Sequence, residues 1–103
     1  MVAIVYTTID NMPDARKIAN TLVEEQLVAC VNIIPKIESV YKWKGKIETD
    51  EELVLICKTV DANVKKTIQR IKQLHSYDLP DVIVLPIIGG LKDYLDYIAH
   101  ETS

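Results

Sequence analysis

The segment 75–81 holds the side chains that are best suited to bind a metal ion. His75, Asp78 and Asp81 follow one another at three-residue intervals. Imidazole is a common ligand of copper, zinc and nickel, and carboxylates supply negative charge that compensates a divalent cation. The same residue types are also common at helix ends and in turns. We therefore treat these three residues as candidate metal ligands and keep an ordinary helix-end turn as the alternative.

A second segment places the only tryptophan of the chain among lysines, in the run YKWKGK at residues 41–46. An exposed tryptophan at a turn is typical of an interface, because it buries a large apolar area with few rotamers lost. Alternating aromatic and basic residues could also stack on single-stranded bases. The chain lacks phenylalanine, however, and its net charge of -3 gives no general attraction for phosphates. We predict that Trp43 packs against another subunit and that nucleic acid is not bound.

The other clusters give no convincing catalytic site. The acidic residues Glu48 and 50–52 are predicted to form the solvated end of a hairpin. Gly89 and Gly90 could expose amides to an anion, but a tight turn explains them equally well. No nucleophile lies beside a base, and the loop at residues 7–13 is acidic and lacks the glycines of a phosphate-binding loop. We predict that the protein is not an enzyme.

Length and composition favour one ordinary folded domain over residues 1–103. Hydrophobic residues make up 49% and charged residues 26% of the 103 positions, which is typical of a globular chain. Cys30 and Cys57 lie inside apolar runs without metal-binding spacing, so we expect two buried, reduced thiols. Residues 1–6 lack the features of a signal peptide, and no apolar stretch is long enough to span a membrane. These features predict a cytoplasmic protein that does not bind membranes.

The hydrophobic pattern predicts four strands and three helices. Apolar, β-branched runs predict strands at 2–6, 28–34 with a continuation at 36–43, 52–59 and 82–85, the last of them short and buried. Apolar residues at helical spacing predict helices at about 13–26, from Asp61 as N-cap to about His75, and from Leu91 to Ile98. Pro35 indicates an edge strand or a bulge, and Gly45 marks the reversal of a hairpin. The order is that of an α+β, ferredoxin-like βαββαβ domain with an extra C-terminal helix, in which helices cover one face of an antiparallel sheet.

The predicted sheet has apolar residues on both faces of its first, third and fourth strands. If the helices cover one face, the second face needs another cover, because large exposed apolar surfaces are rare on monomers. We therefore expect other subunits to bury it.

Five motifs occur in series along the chain and together resemble one family. They are Ala29-Cys30-Val31-Asn32, Tyr41-x-Trp43-x-Gly45-x-Ile47, Glu52 with Lys58-Thr59, His75-x-Tyr77-x-x-Pro80, and Pro86-Ile87-x-x-Gly89-x-x-x-Tyr94-Leu95. The set resembles the CutA family of divalent-cation-tolerance proteins over almost the full chain.

The resemblance implies a homotrimer similar in architecture to the PII signalling proteins, and a role in tolerance to divalent cations. It implies binding of copper or another divalent cation, none of them obligatory, and no defined enzymatic reaction. Five residues are assigned to subunit interfaces or to the clefts between subunits: Tyr41, Trp43, Lys58, Tyr77 and Tyr94. Two alternatives remain: a PII-like regulator that binds a small anionic metabolite in clefts lined by Tyr41, Lys58 and His75, and a passive structural trimer.

The chain departs from the family pattern at several positions. Ser76 stands where proline is usual, and Tyr97 stands where tryptophan is common. Thr7 occupies a position where some bacterial members carry a cysteine implicated in copper binding, and Leu74 stands where some relatives have a second histidine. Of that ligand set, only His75 carries over to this sequence.

Overall fold

The computed structural model describes residues 1–103 and contains one four-stranded sheet with three helices. The elements are β1 (Val2–Ile9), α1 (Met12–Glu24), β2 (Cys30–Trp43), β3 (Lys46–Val60), α2 (Asp61–Leu74), β4 (Val82–Pro86) and α3 (Lys92–Glu101). The strand order is β2-β3-β1-β4, and every neighbouring pair is antiparallel. The predicted α+β, ferredoxin-like order is confirmed. None of the helices is both long and apolar enough to cross a membrane.

The first two helices begin within a residue of their predicted starts but differ in how they are capped. The Oδ1 atom of Asn11 accepts a hydrogen bond from the Asp14 backbone N–H at 2.9 Å, which caps α1. In contrast, Val60 is the N-cap of α2, and Asp61 is already helical, so the prediction of an Asp61 cap is wrong. The backbone N–H of Asp61 donates instead to the carbonyl of Met1 at 2.8 Å, because β3 remains extended as far as Val60.

The hairpin of β2 and β3 is longer than predicted, and a bulge changes its phase. Its two-residue turn has φ of 51° at Lys44 and 80° at Gly45, the conformation that matches the twist of a tight hairpin. Between Ile34 and Ile37 the register gains one extra residue, and Lys36 has a φ of 57°. The bulge that Pro35 predicts on this edge strand is confirmed. Because side chains alternate between faces, the extra residue moves the odd-numbered side chains beyond it to the opposite side of the sheet.

One side of the sheet, here called the helix face, is covered by α1 and α2. Strand residues Val5, Ile9, Leu55 and Cys57 are completely buried there. They pack in one cluster with helix residues, among them Ile18, Leu22 and Ile71. Alternate apolar residues of two strands and the apolar stripes of two helices thus form the core.

The other side, here called the open face, is apolar but much less covered. The ladder register places on it, among others, Ile4, Tyr6, Ile34, Ile56, Ile83 and Leu85. Ile83 is 58% exposed and Leu85 is 42% exposed. The prediction that the fourth strand is buried is therefore wrong for the single chain, because β4 is an edge strand whose open side has no layer above it.

The third helix corrects the expectation that helices cover only one face. The Lys58 ammonium, on the open face, donates to the hydroxyl of Tyr94 in α3. Leu95 and Ala99 of α3 line a 280 Å³ groove together with Val2, another open-face residue. Helix α3 therefore covers one end of the open face and leaves the rest exposed.

Candidate functional site

The loop 75–81 connects α2 to β4 and is bound to the ends of β1 and β3 by side chains. The Nε2 atom of His75 lies 2.7 Å from the carbonyl oxygen of Thr8. The Oδ2 atom of Asp81 accepts from the Thr8 hydroxyl at 2.5 Å. The hydroxyl of Tyr77 donates to Oε2 of Glu52 at 2.6 Å. These five residues, Thr8, Glu52, His75, Tyr77 and Asp81, are here called the Thr8 cluster.

The contacts of His75 define the tautomer of its ring. Its Nδ1 accepts a hydrogen bond from the backbone N–H of Tyr77 at 3.1 Å. A backbone amide can only donate and a carbonyl can only accept, so Nδ1 carries the lone pair and Nε2 carries the proton that bonds to Thr8. The side chain is buried, at 8% exposure. The ring is therefore held in one orientation and one neutral tautomer.

Glu52 is the residue of this cluster whose environment the sequence does not predict. The prediction placed it in a solvated acidic hairpin end, but its side chain is buried, at 8% exposure, against Tyr77 and Thr8. Successive residues of a strand point to opposite faces of the sheet. Leu53 points to the helix face, so Glu52 points to the open face, as the buried Val54 does. Burial, together with the hydrogen bond to Glu52, raises the pKa of Tyr77, which keeps its hydroxyl a donor. The prediction that residue 52 is solvated is wrong because Tyr77 of the loop 75–81 covers it. Glu48, Asp50 and Glu51 are exposed, as predicted.

The structure brings two of the three candidate metal ligands to the same residue. His75 and Asp81 both bond to Thr8, whereas Asp78 is exposed and makes no side-chain hydrogen bond. No group of three or more His, Cys, Asp or Glu side chains within the single chain is arranged to hold a metal ion. A 260 Å³ cleft lies beside the cluster, and its lining includes Glu52 and Asp10.

The residues predicted to line a cleft lie far apart in the single chain. Tyr41 pairs with Glu48 in the ladder, and its hydroxyl bonds to Asp50. Lys58 lies six positions beyond Glu52, which corresponds to about 20 Å at the rise of a strand. One chain therefore does not bring Tyr41, Lys58 and His75 together. Their predicted meeting in a cleft between subunits stays a prediction.

The remaining predicted interface residues lie on the open face or at its borders. After the bulge, Tyr41 and Trp43 share the side of the hairpin that carries Glu52. Trp43 is 45% exposed. Tyr94 stacks on Tyr97 with ring centroids 5.7 Å apart, and Lys58 lies 5.2 Å above the ring of Tyr94.

Both cysteines are free. Cys57 is buried, as predicted, but Cys30 is only partly buried because it faces the open side.

Comparison with known proteins gives consistent matches in sequence and structure. The family described as "CutA1 divalent ion tolerance protein" matches residues 3–101. The chloroplastic protein CutA of Arabidopsis thaliana is 44% identical over 96% of this chain and 54% of its own length. The chain thus spans about half the length of this plant relative. The divalent-cation tolerance protein CutA of Thermus thermophilus is 42% identical over the full length of both chains.

Solved structures of related proteins superpose closely on the chain. The Thermus thermophilus Cut A1 structure covers 100% of both chains with a TM-score of 0.97. The PII-like protein CutA from Nostoc covers 98% of this chain and 97% of its own, at 35% identity and a TM-score of 0.91. The resemblance seen in the sequence motifs is confirmed by 42% identity over the full length of the Thermus thermophilus protein and by TM-scores of 0.97 and 0.91. The chain belongs to the CutA1 divalent ion tolerance family.

Proposed function

We propose that the protein acts in divalent-cation tolerance as a cytoplasmic homotrimer that binds copper or another divalent cation through His75. The observation that carries this proposal is the fixed orientation of the His75 ring. Its Nε2–H donates to the Thr8 carbonyl, and its Nδ1 lone pair faces only a backbone N–H. Metal-binding histidines commonly donate their second N–H to a carbonyl in this way. A cation would take Nδ1 in place of the N–H of Tyr77.

Carboxylates on the same loop would compensate the charge of the ion. Asp78 is exposed and free of side-chain hydrogen bonds, and Asp81 bonds only to Thr8. An imidazole with carboxylates suits copper, zinc or nickel better than magnesium or calcium, which prefer oxygen ligands alone. We propose that the protein acts by binding such an ion, without a catalytic step.

The open face supports the trimeric part of the proposal. It exposes large apolar side chains, and its strands β2 and β4 are edges with unpaired backbone groups. Edge strands and apolar faces of this size are normally covered. The Nostoc relative is described as PII-like, which agrees with an assembly of several subunits.

Calorimetric titration of the metal-stripped protein with Cu(II), Zn(II) and Ni(II), at a mass measured by light scattering, tests the metal site. We expect saturable binding near one ion per subunit that is lost in His75→Ala and weakened in Asp78→Asn. His100→Ala is the matched control, because this second histidine of the chain is exposed on α3. A circular dichroism spectrum checks that His75→Ala is folded, and His75→Gln gives a second variant that keeps a polar side chain. Unaltered affinity in folded His75 variants contradicts the proposed ligand.

A further inference from the structure

Lys58 is a charged residue within an otherwise apolar part of the open face. In the ladder it lies between Cys30 of β2 and Ile4 of β1, and Leu85 of β4 is the next residue across. Its side chain is partly buried. Such a position is unfavourable for an ammonium group unless other groups compensate its charge.

No carboxylate of the same chain compensates this charge. The three ion pairs of the chain join Met1 to Asp61, Arg70 to Glu25 and Lys92 to Asp96. The only side-chain hydrogen bond of Lys58 runs from Nζ to the hydroxyl oxygen of Tyr94, at 3.1 Å. That bond raises the pKa of Lys58, so the side chain stays charged at neutral pH.

The bond to Tyr94 also leaves several donors free at one place. The phenol oxygen accepts from Lys58, so its own O–H is available to donate to a further group. The ammonium keeps two more N–H donors. Stacking on Tyr97, at an interplanar angle of 23°, restrains the ring of Tyr94 and therefore the position of its hydroxyl.

We propose that Lys58 and Tyr94 form a binding site for an oxyanion, a carboxylate or phosphate group. The ammonium supplies the charge, and the phenol O–H supplies a second, directed hydrogen bond to the same anion. The oxyanion comes either from a small molecule or from a carboxylate of a second copy seated on the open face. The site lies about 20 Å along β3 from Glu52 and the Thr8 cluster, and it does not depend on a metal ion.

A titration with inorganic phosphate, followed by thermal shift and calorimetry at constant ionic strength with chloride, tests the site. In the assembled full chain we expect a saturable rise in melting temperature, because a ligand that binds the native state stabilises it. Removal of the charge-assisted bond in Lys58→Met is expected to weaken phosphate binding by about tenfold to a hundredfold. Tyr94→Phe removes one neutral donor and is expected to weaken it by about fivefold. Lys58→Arg should restore much of the binding.

The control variant is Lys92→Met, which removes an ammonium from α3 that is already paired with Asp96. It should bind phosphate like the unaltered chain. If phosphate has no effect but Lys58→Met lowers the assembled mass at micromolar protein, while Lys92→Met does not, the oxyanion is a carboxylate of the neighbouring copy. If Lys58→Met changes neither phosphate binding nor assembly, the proposal is wrong. The copper titration of the His75 variants has a separate readout, so either proposal can fail alone.

Discussion

The two faces of the sheet are built from similar residues but have different surroundings. On the helix face, Val5 and Leu55 are fully buried under α1 and α2. On the open face, Ile34 is 43% exposed and Ile83 is 58% exposed. Apolar residue type alone therefore does not distinguish the two sides. The helix face stabilises the fold of one chain, and the open face is available for contacts with other chains.

The polar residues of the two faces differ even more. Where α1 and α2 cover it, the helix face holds only uncharged polar side chains, such as Thr7 and Thr59, both completely buried. Charged residues on this side, such as Glu38 and Glu51, lie in the uncovered hairpin beyond the bulge. The open face carries the carboxylate of Glu52 at one end and the ammonium of Lys58 at the other. Charged groups are costly to bury unless they are paired or hydrogen-bonded. Both of the sites that we propose lie on the open face or at its border, where such charged groups occur.

The largest effect should come from placing a charge on the open face. Ile83→Glu would put an unpaired carboxylate into the proposed subunit interface, which costs on the order of 3 kcal/mol or more per subunit. We expect loss of the trimer, measured as mass by light scattering. Val23→Glu is the control, since Val23 is 42% exposed on α1 and does not lie on the sheet. A trimer that survives Ile83→Glu would show that this part of the open face is not an interface.

A cavity on the helix face should destabilise each chain. Leu55→Ala removes a fully buried side chain from the centre of the core. We expect the free energy of unfolding to fall by about 3 kcal/mol per subunit. Urea denaturation at fixed protein concentration measures this. A loss below about 1 kcal/mol would mean that the two faces contribute more equally to stability than their burial indicates.

Alkaline pH should destabilise the helix face through its buried thiol, Cys57. Burial raises the pKa of Cys57 to about 12 from 9.0. Between these values the unfolded chain loses the thiol proton and the folded chain keeps it, so stability falls as pH rises. Cys57→Val should reduce this slope by up to about 1.4 kcal/mol per pH unit. Val5→Ala is the control, because Val5 pairs with Cys57 in the ladder and is equally buried but does not titrate. If the urea midpoints from pH 8 to 11 show the same pH dependence in both variants, the assignment is wrong.

The smallest expected effects have opposite signs at two buried threonines of the helix face. The hydroxyl of Thr7 has no hydrogen-bond partner, whereas that of Thr59 donates to the Leu27 carbonyl at 2.6 Å. Thr7→Val should therefore raise the free energy of unfolding by about 1 kcal/mol, and Thr59→Val should lower it by a similar amount. Thermal melts of both variants measure the difference. Equal shifts would mean that the hydroxyl of Thr7 finds a partner such as a buried water.

Much of the fold could be predicted because it follows from local patterns. The β-branched run of β1, the hairpin reversal at Gly45 and the Pro35 bulge are each specified by residues within a few positions. The errors concern partners that are distant in sequence. Asp61 looks like a cap, but the carbonyl of Met1 takes its N–H. Glu52 looks solvated at the end of a hairpin, but Tyr77 covers it.

The candidate site could be predicted only in part. The residue types of His75 and Asp81 indicate their chemistry, and both do meet at Thr8. Nothing near Glu52 in the sequence indicates that Tyr77 covers it, since the two are 25 residues apart. The contact of Lys58 with Tyr94 joins residues separated by 36 positions and depends on α3 crossing to the open face.

The sequence by itself determined the order of strands and helices, the family, and which residue types are available to bind an ion. Those features depend on local backbone preference and on motifs read directly from the chain. Only the tertiary structure decided which apolar face is covered, which carboxylate is buried and which lysine lies on the apolar open face without a carboxylate beside it. These properties arise from ladder register and from the packing of distant segments, where a shift of one residue exchanges the two faces. The bulge between Ile34 and Ile37 makes such a shift, and it sets the side of the sheet on which Trp43 lies.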